Sequence, residues 1–507
     1  MKKIVQLEEM EQIIAELKIK GFKIVHCHGV YDLLHPGHIK HFEAAKRFGD
    51  VLVVTITADK FVNKGPGRPV FNETIRSESI AALESVDYVA INFNPYATTA
   101  IEAIKPDFYV KGQDYSKLED DFTKGIYIEK DKTEEFGGQL VFTNEIQFSS
   151  SKLINTFYSG QNDDFKQYLL AVKERFSFNK VLADIDSLAN LTVTVIGEII
   201  IDEYQFVMPL GKSAKSATIT ARLLNKEVYA GGVLAVANHV ADFVKEVHVI
   251  TFLGSDNKEY YLDTIRPIMK PNVRLDFIEL SDRPTILKKR YIDTVYKKHK
   301  LLELVDINDS PLDKNAKTEV CEKIAAASKI SDLLIVSDFG HGFIDRELAT
   351  YIESLKLFVA LNTQTNSSNF GFNLLTKYKK CNYFAIDKNE AKLATHNKQD
   401  DEEKLMRSLI KKMGCHLAAI TLGTEGCIVG KGENYARSPV FTTEIVDTIG
   451  AGDAFLSITS LLAFKNTEID EIAFIGNAVG AMAVRIMGNK SFIGKVSLLK
   501  YIKTLLV

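Results

Sequence analysis

The chain has 507 residues, of which 46% are hydrophobic and 25% charged, and its formal net charge is −3. That length is too great for one ordinary domain and calls for about two to four. The near-balanced charge excludes a general nucleic-acid or anionic-membrane binder, and the longest apolar stretches, such as 454–464, fall well short of the roughly 20 residues that span a bilayer.

Read in order, Met10, Ile13, Ile14 and Leu17 recur at helical spacing over 5–20, and Gly21 stops that helix. A short apolar strand over 22–28 follows, then a helix over 39–48, and then the β-branched run 51–56, which reads as a strand buried on both faces. Helices over 73–83 and 98–104 alternate with strands over 88–91, 108–110 and 139–142. Residues 155–190 are polar and helical in pattern and read as a connector. A second alternation begins at Leu191: a strand over 193–196, polar strands to about Ala230, a helix opened by Gly231-Gly232, strands over 247–252, 333–337, 358–362 and 417–422, and a helix over 258–269. Three helices, over 451–464, 469–487 and 495–506, close the chain, and polar loops are expected near 308–317 and 397–403. The fold class is therefore α/β, with parallel sheets wound by helices in two domains. Boundaries are expected at 1–158, 159–190 for the connector, and 191–507.

The five cysteines form no CxxC or metal spacing, and the N-terminus turns acidic at Glu8, Glu9 and Glu11 without the apolar core of a secretory leader. Reduced thiols and a cytoplasmic location are the expectation.

The stretch from Gly29 to His38, GVYDLLHPGH, joins a strand to a helix. A helix start attracts anions through free N–H groups and the macrodipole, and His35 and His38 add two imidazoles there. Gly37 lets the chain pass close to a ligand. His35-Pro36-Gly37-His38 resembles the HxGH signature of the nucleotidyltransferase superfamily that includes the cytidylyltransferases. The resemblance covers about 22–155 and implies a Rossmann-like parallel sheet on which the two histidines contact nucleotide phosphates while an acceptor phosphate attacks the α-phosphorus. It extends to a basic loop with Lys64 and Arg68, to Lys111-Gly112-Gln113-Asp114-Tyr115, similar to a KGxDY segment, and to Ser149, Ser150 and Ser151, similar to an ISTTxI segment. The resemblance implies that Gly29, Tyr31, Lys64, Arg68, Lys111 and the three serines hold the nucleotide, and that His28, Asp32 and Asp114 face the acceptor.

In the second half, Asp447-Thr448-Ile449-Gly450-Ala451-Gly452-Asp453-Ala454-Phe455 puts bare backbone N–H groups at a helix start. Gly450, Ala451 and Gly452 would form an anion hole for a γ-phosphate, and Asp453 would accept the proton of the attacking hydroxyl. The segment resembles the DTxGAGDxF signature of the ribokinase-like (PfkB) sugar kinases. That resemblance covers about 191–500 and implies a ribokinase-like α/β domain with a small β lid. It implies sugar contacts from Asp202, Gly231 and Gly232, a nucleotide loop at Thr421, Gly423 and Gly426, and Asp387 and Glu390 organising Mg²⁺ through water. Ala235 stands where the family has a sugar-binding asparagine, which moves the expected contact to Asn238. Leu361-Asn362-Thr363-Gln364 lacks the lysine that sugar-phosphate kinases often carry at this place.

The pair of modules resembles the bifunctional heptose-phosphate kinase/adenylyltransferase family of lipopolysaccharide precursor synthesis, with the kinase second here and first there. It implies ATP-dependent phosphorylation of a sugar or sugar phosphate, and transfer of a nucleotide from ATP or CTP to a sugar 1-phosphate. A separate phosphatase would act between the steps. Mg²⁺, sugar phosphates and a homodimer or higher oligomer are implied; neither nucleic acid nor membrane is. Two other readings stay open on the residues: a glycerol- or polyol-phosphate cytidylyltransferase with an accessory kinase, and a sugar-sensing scaffold without turnover.

Overall fold

The computed structural model describes residues 3–62, 68–112, 125–143, 163–213, 215–295, 299–442 and 444–506. The chain divides into two units, Met1–Gln161 and Asn162–Val507.

In the first unit, strands β1 (Ile24–Gly29), β2 (Val51–Thr57), β3 (Tyr88–Asn92), β4 (Phe108–Gly112) and β5 (Gln139–Thr143) form one sheet in the order β3-β2-β1-β4-β5. All pairings are parallel. Helices α1 (Leu7–Ile19), α2 (Pro36–Lys46), α3 (Glu73–Ala81), α4 (Thr98–Ile104) and α5 (Gly125–Glu135) cover it. Alternate residues of β2 serve opposite faces. Leu52 and Val54 pack with Val25, Cys27 and Phe42, while Val51 and Val53 pack with Met10, Ile14 and Ile104. The strand order turns at β1, so the crevice that such sheets use for ligands lies at its carboxyl end, where Gly29–His38 leaves the sheet.

The second unit opens with α6 (Asp163–Arg175) and α7 (Phe178–Asp186). These helices occupy the stretch expected to be a connector, yet they pack on the second unit. Phe165 stacks edge-on against Phe441 and Phe176 against Phe474, and Arg175 and Lys180 pair with Asp470 and Glu471. An apolar stripe of Phe165, Val172, Phe176, Val181 and Ile185 drives this burial.

The main sheet combines β6 (Thr192–Gly197), β9 (Glu246–Gly254), β10 (Val273–Leu280), β13 (Leu333–Asp338), β14 (Phe358–Thr363), β15 (Tyr383–Asp387), β16 (Leu417–Thr421), β17 (Cys427–Lys431) and β18 (Asn434–Ser438), in the order β10-β9-β6-β13-β14-β15-β16-β17-β18. A separate four-stranded sheet, β12-β11-β7-β8, forms the lid from β7 (Ile199–Lys212), β8 (Ile219–Gly232), β11 (Leu287–Asp293) and β12 (Lys300–Asp306). The helices are α8 (Val233–Ala241), α9 (Lys258–Ile265), α10 (Lys314–Ala327), α11 (Arg346–Ser354), α12 (Lys388–Thr395), α13 (Glu402–Met413), α14 (Ala451–Phe464), α15 (Ile469–Ala483) and α16 (Lys495–Leu506). α14 is buried from Asp453 to Ala463, which explains its apolar composition on every face. Two expected elements are shorter than the sequence suggests. α9 gives way at Arg266 to a tighter turn containing Pro267, and the loop near 308–317 ends at Asp313, which caps α10 by accepting from Ala316 N. Among the described residues no helix is long and apolar enough to cross a membrane.

Candidate functional sites

In the first unit the site grows from the end of β1. Tyr31 has φ +47 and lays its ring over Gly29, where an added Cβ would lie 2.9 Å from the ring; the glycine is needed for this fold-back. His35 occupies the N-cap position of α2 and Pro36 the first helical position. The His35 and His38 rings stack at 3.8 Å between centroids, and Tyr31 meets His38 edge-on at 5.2 Å. Both imidazoles therefore stand together at a helix start, as the motif implied.

Asp32 does not face an acceptor. Its buried carboxylate pairs with Arg68 and accepts from Val70 N at 2.6 Å and Phe71 N at 3.3 Å, so both residues fasten the 68–71 loop to the β1 end. A carboxylate so placed is taken up by neighbouring donors. His28 bonds Thr55 Oγ1 at 2.8 Å through Nδ1 and lies 3.3 Å from Thr57 Oγ1 through Nε2. Lys111, beside it on β4, meets Glu129 of α5 at 2.9 Å and the His28 carbonyl at 3.5 Å. Burial alone would push the Glu129 carboxyl up, but Lys111, His28 and the Ala97 N–H bring it down to about 2. Glu129 and Arg76, which ties Val30 O, Thr57 O and Phe71 O together, carry no motif signal and were not expected. Lys64, Asp114, Ser149, Ser150 and Ser151 lie outside the described residues.

The second unit holds a cleft of about 290 Å³ between the lid and the carboxyl ends of the main strands. It brings together Asp202, Gly232, Asp387, Glu390, Thr421 and Asp453 from five separate stretches of sequence. Gly450 enters α14 at φ +81, and a Cβ there would lie 2.4 Å from Asn489 Oδ1. Gly450 and Gly452 line the cleft at the start of α14, while Ala451 N donates to Thr448 O at 3.4 Å. Asp447 supports this turn: its carboxylate accepts from Lys300 Nζ at 2.7 Å, Gly488 N at 3.0 Å, Tyr204 Oη at 3.1 Å and Ile449 N at 3.2 Å.

Asp453 is buried. Burial, and then the facing Asp202, push its carboxyl up to about 7, while a hydrogen bond from Gln364 and the charge of Lys288 pull the other way. Asp202 is held by Arg290 and by Asn489 Nδ2 at 3.2 Å. Gly231 permits this, because a Cβ there would lie 2.2 Å from Asp202 Oδ2. Gly232, at φ +59, starts α8. Asp387 and Glu390 cap each other: Glu390 N donates to Asp387 Oδ1 at 2.7 Å, and Asp387 N to Glu390 Oε2 at 2.9 Å. Burial and the neighbouring Asp387 push the Glu390 carboxyl up to about 8. Gly423 and Gly426, at φ +60 and +92, shape the turn after Thr421; a Cβ on Gly426 would lie 2.0 Å from Ser438 O.

Asn238 is not part of this cleft. It is fully buried, accepts from Lys270 N at 2.9 Å and donates to Ile268 O at 3.3 Å, so it anchors the 268–270 segment. Lys288, Arg290, Gln364 and Asn489 line the cleft instead, and none of them was singled out as a ligand contact from the sequence.

A family model for pfkB carbohydrate kinases matches residues 190–493. The chain belongs to the pfkB family of carbohydrate kinases. A model for cytidylyltransferase-like proteins matches residues 26–155, ahead of the pfkB region. Phosphofructokinase-2 from Escherichia coli shares the fold with a TM-score of 0.50 and 13% identity, over 62% of this chain and 98% of that one. The bifunctional protein HldE of Trichlorobacter lovleyi is 38% identical over 140 residues, which is 27% of each chain. That of Aliarcobacter butzleri is 44% identical over 110 residues, 21% of this chain and 23% of the relative. The match thus spans about a quarter of the length of these curated relatives. For the pfkB region, Asp202, the Gly450–Asp453 turn and the Asp387/Glu390 pair form one constellation at the strand ends.

Proposed function

We propose that the chain is a two-activity enzyme of nucleotide-sugar synthesis, in which the second unit phosphorylates a heptose-like sugar phosphate with ATP and the first transfers a nucleotide from ATP or CTP to a sugar 1-phosphate. The observation that carries the kinase half is the buried Asp453, pushed up to about 7 and set at the N-terminus of α14 opposite Asp202. Asp202 suits a sugar hydroxyl, and Lys288 and Arg290 beside it suit the phosphate of an acceptor that is already phosphorylated. The acceptor hydroxyl attacks the γ-phosphorus of ATP and the bond to the β-phosphate oxygen breaks. The hydroxyl proton passes to Asp453, and charge on the transferring group meets the N–H groups of Gly450–Gly452. Asp387 and Glu390 suit Mg²⁺, which prefers oxygen ligands, since both carboxyl groups line the same end of the cleft. Mg²⁺ held by these residues would supply positive charge against the phosphates.

In the first unit the acceptor's phosphate oxygen attacks the α-phosphorus and pyrophosphate leaves. His35 and His38 stabilise the charge that builds on the phosphates, without a covalent enzyme intermediate. Phosphorylation of a sugar phosphate yields a bisphosphate, so a separate phosphatase must remove the original phosphate before the sugar 1-phosphate reaches the first unit. The five free cysteines fit a reducing compartment and a cytoplasmic enzyme. Exposed Leu302 and Leu304 on β12 support a homo-oligomer joined through the lid, with light scattering as its test.

The deciding experiment is phosphorus NMR of the products from a matrix of nucleotides and sugar phosphates. ADP formation should disappear in Asp453→Asn, and pyrophosphate release in His35→Ala and His38→Ala. Unchanged ADP formation in the first variant would remove the kinase assignment; unchanged pyrophosphate release in the others would remove the transferase one. The ATP and CTP arms separate adenylyl from cytidylyl transfer.

A further inference from the structure

Gln364 follows β14 in the segment that lacks the lysine of the sugar-phosphate kinases, and its Nε2 donates to Asp453 Oδ1 at 2.7 Å. The loop here is tied down. Thr365 N donates to Glu390 Oε1 at 2.9 Å, Gln364 N to Asp338 O at 2.9 Å, and Asn373 Nδ2 to Gln364 O at 3.2 Å. A side chain carried on a backbone held at three points delivers its amide to one place. An amide at this position donates without adding charge, which a lysine would not do.

We propose that Gln364 is a positioning residue for the kinase reaction: it fixes one oxygen of the Asp453 carboxylate and leaves the other to take the proton of the acceptor hydroxyl. This rests on the reading of Asp453 as the base. The groups that face Asp453 are Asp202 from β7, Lys288 and Arg290 from β11, and Asp387 and Glu390 at the start of α12; all line the same cleft. Asp202 and Glu390 disfavour a second negative charge there, and the Gln364 donor and Lys288 offset them. Loss of the donor therefore has two effects. The carboxylate is free to rotate out of line, and its ionisation becomes harder.

The test compares Gln364→Met, Gln364→Glu and Asp453→Asn in the full chain, by steady-state ADP formation across pH 5.5–9 with saturating Mg²⁺ and ATP. For Gln364→Met we expect kcat to fall about tenfold, as loss of a hydrogen bond to a charged group implies. The KM for the acceptor should change less than about threefold, and the acid limb of kcat should move to higher pH. Gln364→Glu should lose more than Gln364→Met at the alkaline end of the range, because it adds a fourth acidic group facing Asp453. A purely structural role would lower the amount of active enzyme and leave the position of the acid limb where it is in wild type. If Asp453→Asn abolishes turnover while Gln364→Met keeps the wild-type kcat and acid limb, the positioning role is overturned and the kinase reading stands. If Asp453→Asn turns over like wild type, both fall. Should Gln364→Met fold poorly, as judged by its thermal transition, Gln364→Asn gives the same readout, since it keeps the amide and shortens its reach.

Discussion

Lys288 stands directly across from Asp202 in the parallel ladder between β11 and β7, and Arg290, two residues on, closes on the same carboxylate. Burial pulls the Lys288 ammonium below its ordinary value even though Asp202 favours its charge. An anionic group on the acceptor would restore what burial takes away. We expect Lys288→Met to raise KM for a sugar phosphate by tenfold or more and to leave KM for ATP nearly unchanged. Equal effects on both substrates would show that Lys288 serves the nucleotide.

Arg290 is also met by Glu303, so removing its charge leaves Asp202 buried beside an uncompensated neighbour. Arg290→Met should cost about 3–5 kcal/mol, the usual penalty for breaking one side of a buried pair. Asp202→Asn with Arg290→Met should recover much of this. Urea unfolding of the single and double variants measures it, and strictly additive losses would contradict it.

Stability of the second unit should depend on pH in an unusual direction. Burial, and then neighbouring charges, raise Glu198 to about 7, Glu390 to about 8, Asp453 to about 7 and Glu471 to about 7. In the unfolded chain such groups ionise near about 4. Between those values the folded state binds more protons, so these groups stabilise fully below about pH 4 and lose that contribution as pH rises through 7–8. Calorimetry should show the transition of this unit moving to lower temperature from pH 5.5 to 8.5, with a shallower slope in Asp453→Asn. A transition that rises over this range would refute the direction.

Gly450→Ala tests the turn that opens α14. Alanine at φ +81 costs about 1–2 kcal/mol, and its Cβ would displace the Asn489 amide, which in turn donates to Asp202. We expect a loss of ADP formation of at least a hundredfold with a modest drop in melting temperature. Wild-type turnover would show that the turn relaxes without harm.

In the first unit, Glu129→Gln should leave Lys111 buried without its carboxylate and lower stability by about 3–5 kcal/mol. Pyrophosphate release should fall as well, since Lys111 lies beside the His28 carbonyl at the end of β1. Glu129→Met with Lys111→Met should regain stability and not activity. Chemical denaturation and the pyrophosphate assay read the two separately.

Residues in continuous motifs were legible in advance. His35 with His38 and Asp387 with Glu390 sit in short segments that join a strand end to a helix start, and Asp453 with its glycines sits in one that opens a helix after a loop. Lys288, Arg290, Gln364 and Asn489 sit in no such segment. Leu287-Lys288-Lys289-Arg290 looks like a solvated run, because the lid strand that buries it pairs with residues about 90 positions earlier. β11 was not expected for that reason, and β10 and β12 were not expected because they are edge strands with exposed faces, whereas the apolar runs of β2 and β13 declare themselves. Asn238 misled because a buried amide serving a nearby loop and one serving a ligand look alike in sequence. Asp32 misled because its partners Arg68, Val70 N and Phe71 N lie more than 30 residues away in sequence.

Asp202, Lys288 and Arg290 all ride on the lid sheet, while Asp453, Gln364 and Glu390 stand on the main body of the same unit. Ladder hydrogen bonds fix the spacing of the first group, and the Gln364–Asp453 and Thr365–Glu390 bonds fix that of the second. The cleft therefore works as a calliper with two rigid jaws: any movement of the lid changes the gap between them and leaves the pattern on each jaw intact. For the proposed kinase reaction, selection among acceptors then reduces to one length, the distance from the acceptor's anchored hydroxyl and phosphate to the hydroxyl that reacts.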